Sequence, residues 1–261
     1  MSLARGRQYL AIPGPSVMPD RVLNAMHRAA PNIYEGALMD MVATLWPDLK
    51  TLAGTRHHVA LYIGNGHAAW EAANANVFSR GDRALVLITG RFGEGWAASA
   101  EAMGVQAERL DFGLSSPVDL DRVAEALRAD TGHSLKAVLM THVDTASTVK
   151  NDIAGLRRVL DDLGHPALLM VDSIASLACD TFHMDNWGVD VLVGASQKGL
   201  MVPPGLGFLW FSDKAREVTR GNDLRTPYWN WEPRAFADGF YQHFCGTAPT
   251  HHLFGLREAL D

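Results

Sequence analysis

Two cysteines, Cys179 and Cys245, are all that 261 residues contain, so no disulfide framework holds this chain together. A reducing compartment, and with it a cytoplasmic localisation, is the expected setting. Long apolar runs are missing too. No stretch reaches the roughly 18 apolar residues of a membrane span, and the N-terminal MSLARGRQYLAIPGPS lacks the sustained apolar core of a secretory signal. Positive charge is in deficit: 23 Lys and Arg face 29 Asp and Glu, a formal net charge of -6. That balance argues against nucleic acid or an anionic membrane as partner. Repeats and low-complexity tracts are absent. What is present is a soluble globular composition, 48% hydrophobic and 20% charged, long enough for one large domain or two modest ones.

Short apolar runs recur at 59–63, 84–88, 137–140, 167–171, 189–193 and 207–211. They do not alternate strictly, which predicts strands buried on both faces, as in a parallel sheet. Helical patterns separate most of them. One opens at Asp119, an N-cap candidate, and ends before Thr131-Gly132. Another runs from Asp152 to a stop at Gly164-His165-Pro166. The alternation predicts an α/β fold with a mostly parallel sheet, whose ligands bind beyond the carboxyl ends of the strands. Residues 1–20, with Pro13-Gly14-Pro15 and Pro19, read as an extended arm. Residues 223–246, rich in aromatics, Pro and Gly, read as an ordered loop that covers a site or touches a partner subunit.

Chemistry is suggested where the apolar runs end. Lys198 sits in Ser196-Gln197-Lys198-Gly199, between an apolar run and Pro203-Pro204-Gly205. An ammonium in an apolar cleft has its pKa lowered, and the neutral amine is a nucleophile able to form a Schiff base with a carbonyl. The common alternative is a packed stem whose ammonium reaches water. Asp172 ends the run Ala-Leu-Leu-Met-Val. A carboxylate there is costly unless paired, and a pyridinium nitrogen is one such partner. A helix cap or backbone N–H groups would also satisfy it. The third element is Gly64-Asn65-Gly66-His67-Ala68-Ala69-Trp70-Glu71. It follows a strand-like run and opens a helical one, a setting that suits a phosphate. As a dinucleotide fingerprint it fails as GxGxxG; with Ala69 in the third position its A variant would fit, but no acidic residue ends a second strand to hold a ribose.

Each piece is weak alone. Together with Pro13-Gly14-Pro15-Ser16, Val171-Asp172-Ser173-Ile174-Ala175-Ser176-Leu177, Gly194-Ala195-Ser196-Gln197-Lys198 and Gly255-Leu256-Arg257-Glu258-Ala259-Leu260, the chain resembles the class V aminotransferases. This family lies within fold type I of the pyridoxal phosphate enzymes, and the likeness is nearest to its alanine–glyoxylate and serine–glyoxylate (or pyruvate) group. The resemblance implies a seven-stranded, mostly parallel sheet between helices and pyridoxal 5'-phosphate as cofactor. It implies a Schiff base on Lys198, which also shuttles a proton, and Asp172 on the ring nitrogen. Ile174 would pack on the ring, and Asn65, Gly66 and Gln197 would bind phosphate with His67 beside them. Phe92 stands where the group usually has a stacking tryptophan. Thr145 would approach the ring hydroxyl. Thr247 would reach the phosphate of a neighbouring subunit, which implies a homodimer, and Phe244 replaces a frequent tyrosine.

The implied reaction moves an amino group from alanine or serine to glyoxylate or pyruvate. Its rivals are pyridoxamine–pyruvate transamination, a fold type I lyase such as a cysteine desulfurase, and a non-catalytic dimerisation or binding domain. The domain expectation is an arm over 1–20, a cofactor-binding large domain over 21–246, and over 247–261 the start of a helix leading to a small domain absent from this chain. The pattern of Leu253, Leu256 and Leu260 stops without a terminator, so a longer natural chain is expected, and the resemblance implies that the substrate-gripping arginine lies in its continuation. Arg225 and Arg234 read as structural or surface residues, Cys179 as a small buried hydrophobe, and Trp229 and Trp231 as packing as readily as recognition. His57-His58 and His251-His252 lack the third ligand that a catalytic zinc requires.

Overall fold

Strands form where β-branched and aliphatic residues are bracketed by Gly, Asp or Pro, and the computed structural model describes residues 10–261. In chain order the elements are α1 (Asp20–Met26), α2 (Ala37–Ala53), β1 (His58–Gly64), α3 (Gly66–Val77), β2 (Arg83–Ile88), α4 (Arg91–Ala102), β3 (Gln106–Asp111), α5 (Leu120–Ala129), β4 (Leu135–Thr141), α6 (Ile153–Asp162), β5 (Leu168–Asp172), β6 (Val191–Ala195), β7 (Gly205–Phe211), α7 (Asp213–Val218), α8 (Glu232–Ala235) and α9 (Thr250–Leu260). One seven-stranded sheet has the order β1-β7-β6-β5-β4-β2-β3. All neighbours are parallel except β7, which runs against both β1 and β6. Two reversals restore direction, so β1, β2, β4, β5 and β6 all end at the same edge.

Side chains alternate to two cores. Leu87, Met140, Leu169, Val171 and Trp210 meet α2, α5, α6 and α9 on one face. Val86, Leu139, Met170, Val193 and Phe211 meet α3 and α4 on the other. Burial on both faces is why the runs lack alternation. The expected caps are in place: Asp119 accepts from the N–H groups of Asp121 and Arg122, and Asp152 accepts from that of Gly155. Gly164, at φ 59°, follows α6 in the left-handed region that glycine supplies.

Several expectations change. No apolar run announced β3, because Gln106-Ala-Glu-Arg-Leu-Asp lies at the sheet edge and is largely exposed. The run at 189–193 becomes β6 two residues later, because Asp190 stays outside the strand to accept from Leu169 N and Ser212 Oγ. Cys179 is exposed, not buried, because it sits in a turn closed by its N–H on Ser176 O. Of the arm at 1–20, residues 1–9 lie outside the described residues.

Residues 223–246 pack beside α3 and β1. Tyr62 Oη and Asn76 Nδ2 both donate to Trp229 O, and Trp231 stacks on Phe211 at 4.2 Å. Arg234 pins this segment. Its buried guanidinium donates to the carbonyls of Tyr228, Leu61 and His243 and lies 4.4 Å from the centre of the Tyr62 ring. Arg225 likewise donates to Asn76 O and Thr219 O. Both arginines are structural. Arg234→Ala strands several buried acceptors and is expected to cost on the order of 3 kcal/mol or more in urea unfolding. A change under about 1 kcal/mol would contradict this account of the segment.

Candidate active site

Five strand ends deliver the candidate residues to one cavity of about 230 Å³, which Gly14, Asn65, Gly66, His67, Trp70, Phe92, Thr145, Asp172, Ile174, Gln197 and Lys198 help to line. After β1, Asn65 turns the chain into α3, its Oδ1 accepting from His67 N and Ala68 N. That side-chain oxygen is a helix cap, so only the amide end of Asn65 is left to meet an anion. Gly66 starts α3 and presses on Ile174: a Cβ there would lie 2.5 Å from Ile174 Cδ1. After β2, Gly90 leads into α4, and Phe92 comes from the first turn of that helix.

The loop after β4 carries Thr145 and a buried residue that sequence reasoning passed over. Asp144 Oδ2 accepts from Phe92 N and Gly93 N at 2.8 and 3.0 Å, and its Oδ1 accepts from Ala146 N. A carboxylate at the N-terminus of α4 meets the positive end of the helix dipole. It therefore ties the Phe92 helix to the Thr145 loop. Gly90 is required beside it, since a side chain there would overlap the carboxylate. The signal was legible only as Gly-Arg-Phe-Gly opening a helix without a capping residue of its own.

Asp172 ends β5, between Thr141 and Val193 on the neighbouring strands. Oδ1 accepts from Ile174 N at 2.7 Å and Oδ2 from Trp70 Nε1 at 2.9 Å. Burial pushes this carboxyl up from its ordinary 3.8 to about 6, against those two hydrogen bonds; Asp144 adds to the rise and Lys198 opposes it. The proton is thus held more tightly when folded. Stability conferred by the protonated form is complete below pH 3.8 and is lost as pH rises through about 6, on the order of 3 kcal/mol. A cation in the cavity would offset that cost.

After β6, Ser196 Oγ accepts from Leu206 N and donates to Pro203 O, fixing the turn that presents Gln197 and Lys198. Lys198 is half-buried, and its pKa lies below the usual lysine value, chiefly from burial, with Asp172 opposing. Its Nζ donates to Pro13 O at 2.7 Å, and Ser16 N donates to Gln197 O. The arm therefore crosses directly over the lysine. Thr247 is not in this cavity. It is exposed and lines a second one with Ile33, Tyr34, Met39, Phe240 and Tyr241. Phe244 is buried in the core. Among the described residues, no group of three His, Cys, Asp or Glu gathers to hold a metal.

The family profile described as Aminotransferase class-V matches residues 8–261. The serine–glyoxylate aminotransferase of Methylorubrum extorquens is 35% identical over 98% of this chain and 65% of its own length. The chain belongs to the class V aminotransferase family. The serine–glyoxylate aminotransferase of Arabidopsis thaliana is 34% identical over 98% of this chain and 64% of its own. Among solved structures, an alanine–glyoxylate aminotransferase from Nostoc sp. superposes with a TM-score of 0.86 at 25% identity, covering all of this chain and 71% of that one. This class V chain thus spans about 65% of the length of the curated relatives it matches.

The family implies pyridoxal 5'-phosphate, and the cavity fits it on three observations. Asp172 puts a buried anion where a ring cation would be held. The start of α3 leaves Gly66 N uncapped for an anion. Gln197 Oε1 is buried without a hydrogen-bond partner, so no protein donor fixes which way its amide faces, and its N–H end is free to meet an anion. The fit also depends on Gly14. At φ 138° it lies where side chains are strained, and a Cβ would sit 2.6 Å from Lys198 Nζ. Gly14→Ala is expected to keep the fold and weaken uptake of pyridoxal 5'-phosphate by about tenfold or more in a spectral titration, the usual scale of overpacking. Gly113→Ala, at φ 78° with nothing within 4 Å, is the control. Equal affinities for the two variants would show that the arm does not constrain the lysine.

Proposed function

We propose that this chain carries the cofactor half of a pyridoxal-phosphate-dependent transaminase, which passes an amino group from alanine or serine to glyoxylate or pyruvate. The observation that carries the reading is the pairing, in one cavity, of a half-buried lysine with lowered pKa and a buried aspartate with raised pKa. Relatives named for serine, alanine and glyoxylate support those three as reactants. When bound, pyridoxal 5'-phosphate supplies an electron sink for the charge left at the donor's Cα.

The residues divide the work by position. Lys198 Nζ would be the amine that meets the cofactor's carbonyl, and a lowered pKa raises its neutral fraction. The same nitrogen would be placed to take the proton from the donor's Cα, as the one lysine lining the cavity among the described residues. Asp172, anionic, would hold a proton on the ring nitrogen. Phe92 and Ile174 wall the ring and exclude water. Gly66 N and the side-chain N–H groups of Asn65 and Gln197 would orient the phosphate, with His67 at the rim. Thr145 meets the ring hydroxyl.

Thr247 serves the phosphate of a second copy in a homodimer. Its exposure outside the Lys198 cavity supports this, as do the neighbouring exposed rings of Tyr34 and Tyr241. A cytoplasmic setting is supported by the two free cysteines, and no helix among the described residues is long and apolar enough to cross a membrane. Arg225 and Arg234 donate to backbone carbonyls and neither lines the Lys198 cavity, so neither is placed to grip a substrate carboxylate there.

Steady-state assays of the whole protein with alanine or serine as donor test the reading. Lys198→Ala is expected to abolish turnover with the fold intact, and Asp172→Asn to retain cofactor while losing at least about a hundredfold in rate, as for a lost transition-state charge. Substantial turnover in Lys198→Ala, or near-parental rates in Asp172→Asn, would remove these residues from the mechanism.

A further inference from the structure

Asp172 does not hold its own orientation. Of the donors on its carboxylate, Ile174 N belongs to the backbone two residues on, whereas Trp70 Nε1 reaches it from α3, 102 residues away in sequence. Trp70 stands four residues after Gly66, and so on the same side of the helix as the turn that faces the cavity. Its indole is 1% exposed. It stacks on Trp96 of α4 at 6.2 Å with planes 10° apart and meets Phe92 edge-on at 6.3 Å. Gly95 leaves the notch for it: a Cβ there would come 3.3 Å from Trp70 Cζ3. Trp96 is fixed in turn by its own indole N–H on Asn74 Oδ1 at 3.1 Å. The ring plane of Trp70 is therefore set by packing on three sides, and its N–H has one place to go.

We infer that Trp70 is a positioning residue for Asp172: its indole N–H, held rigid between α3 and α4, fixes the rotation of the carboxylate and leaves only its cavity-facing acceptor capacity for a cationic ring nitrogen. The inference rests on the proposed pairing of Asp172 with such a nitrogen, and deepens it. The physical stake is large because an unpaired buried acceptor is costly and a hydrogen bond to a charged group is strong in a dry site. Removing the donor leaves Oδ2 free to turn from the cavity and favours the neutral acid. The charged neighbours that set the balance are Asp144 from the β4 loop and Lys198 from the β6 loop; His67 of α3 packs on the indole at 4.6 Å.

The test needs no turnover. In the unmodified protein labelled with 15N in its tryptophans, the Trp70 indole resonance, assigned by its through-space contacts with Phe92 and Trp96, should titrate with the midpoint of the Asp172 carboxylate followed by 13C. The other six indoles should not share that midpoint. In Trp70→Phe, which keeps an aromatic ring but no N–H, the Asp172 midpoint should move up by about one pH value or more, the scale of a lost charged hydrogen bond. Trp96→Phe keeps Trp70 as a donor and should leave the midpoint near the parental one. A Trp70 indole signal that ignores the titration of Asp172 overturns the inference, whether or not Trp70→Phe folds, as does an unmoved midpoint in that variant. Because both readouts concern only the pair, a failed transaminase assay with intact coupling would count against the proposed function and not against the clamp.

Discussion

A carboxylate buried at the end of the central strand β5 is the interaction around which this molecule is arranged. Asp172 could not remain ionised there without donors, and the structure brings two, one from its own loop and one from the indole of Trp70. Even so its pKa stands near 6. The fold thus carries a cost at neutral pH that a cation in the cavity would offset. Such sites are where local optimality is given up for chemistry. The same cavity depresses the basicity of Lys198, so one desolvated volume makes the acid weaker and the amine more nucleophilic.

The sheet explains why these groups meet. Parallel strands deliver every loop of interest to one edge, and β7, running backwards between β1 and β6, places the Pro203-Pro204-Gly205 turn at that edge too. The α3 and α4 helices then do more than cover the sheet. Their N-termini face the cavity, one capped by Asn65 and free at Gly66, the other neutralised by Asp144. Thus two helix ends of the same kind play different parts: one is left for an anion, while the other already holds a protein carboxylate.

Much of this was legible in the sequence because the informative signals are local. Buried strands announce themselves by runs, helix starts by Asp119 and Asp152, and the lysine loop by its family setting. What escaped depends on contacts across the chain. β3 looks polar because an edge strand has little to bury. Trp70 reads as one more large residue on an apolar helix face, and only folding shows its N–H aimed at Asp172. Asp144 reads as a loop residue, although it caps a helix that begins 53 positions earlier. Arg234 reads as an ordinary cation, yet it is buried among carbonyls and rings.

The claim on which the rest turns is that Lys198 is the amine presented to an aldehyde cofactor. Treating the protein with pyridoxal 5'-phosphate, reducing with borohydride and mapping the labelled peptide tests it most directly. The account predicts one dominant label on Lys198, approaching one equivalent per chain. Label spread over Lys50, Lys136, Lys150 and Lys214 with Lys198 unmodified would contradict it.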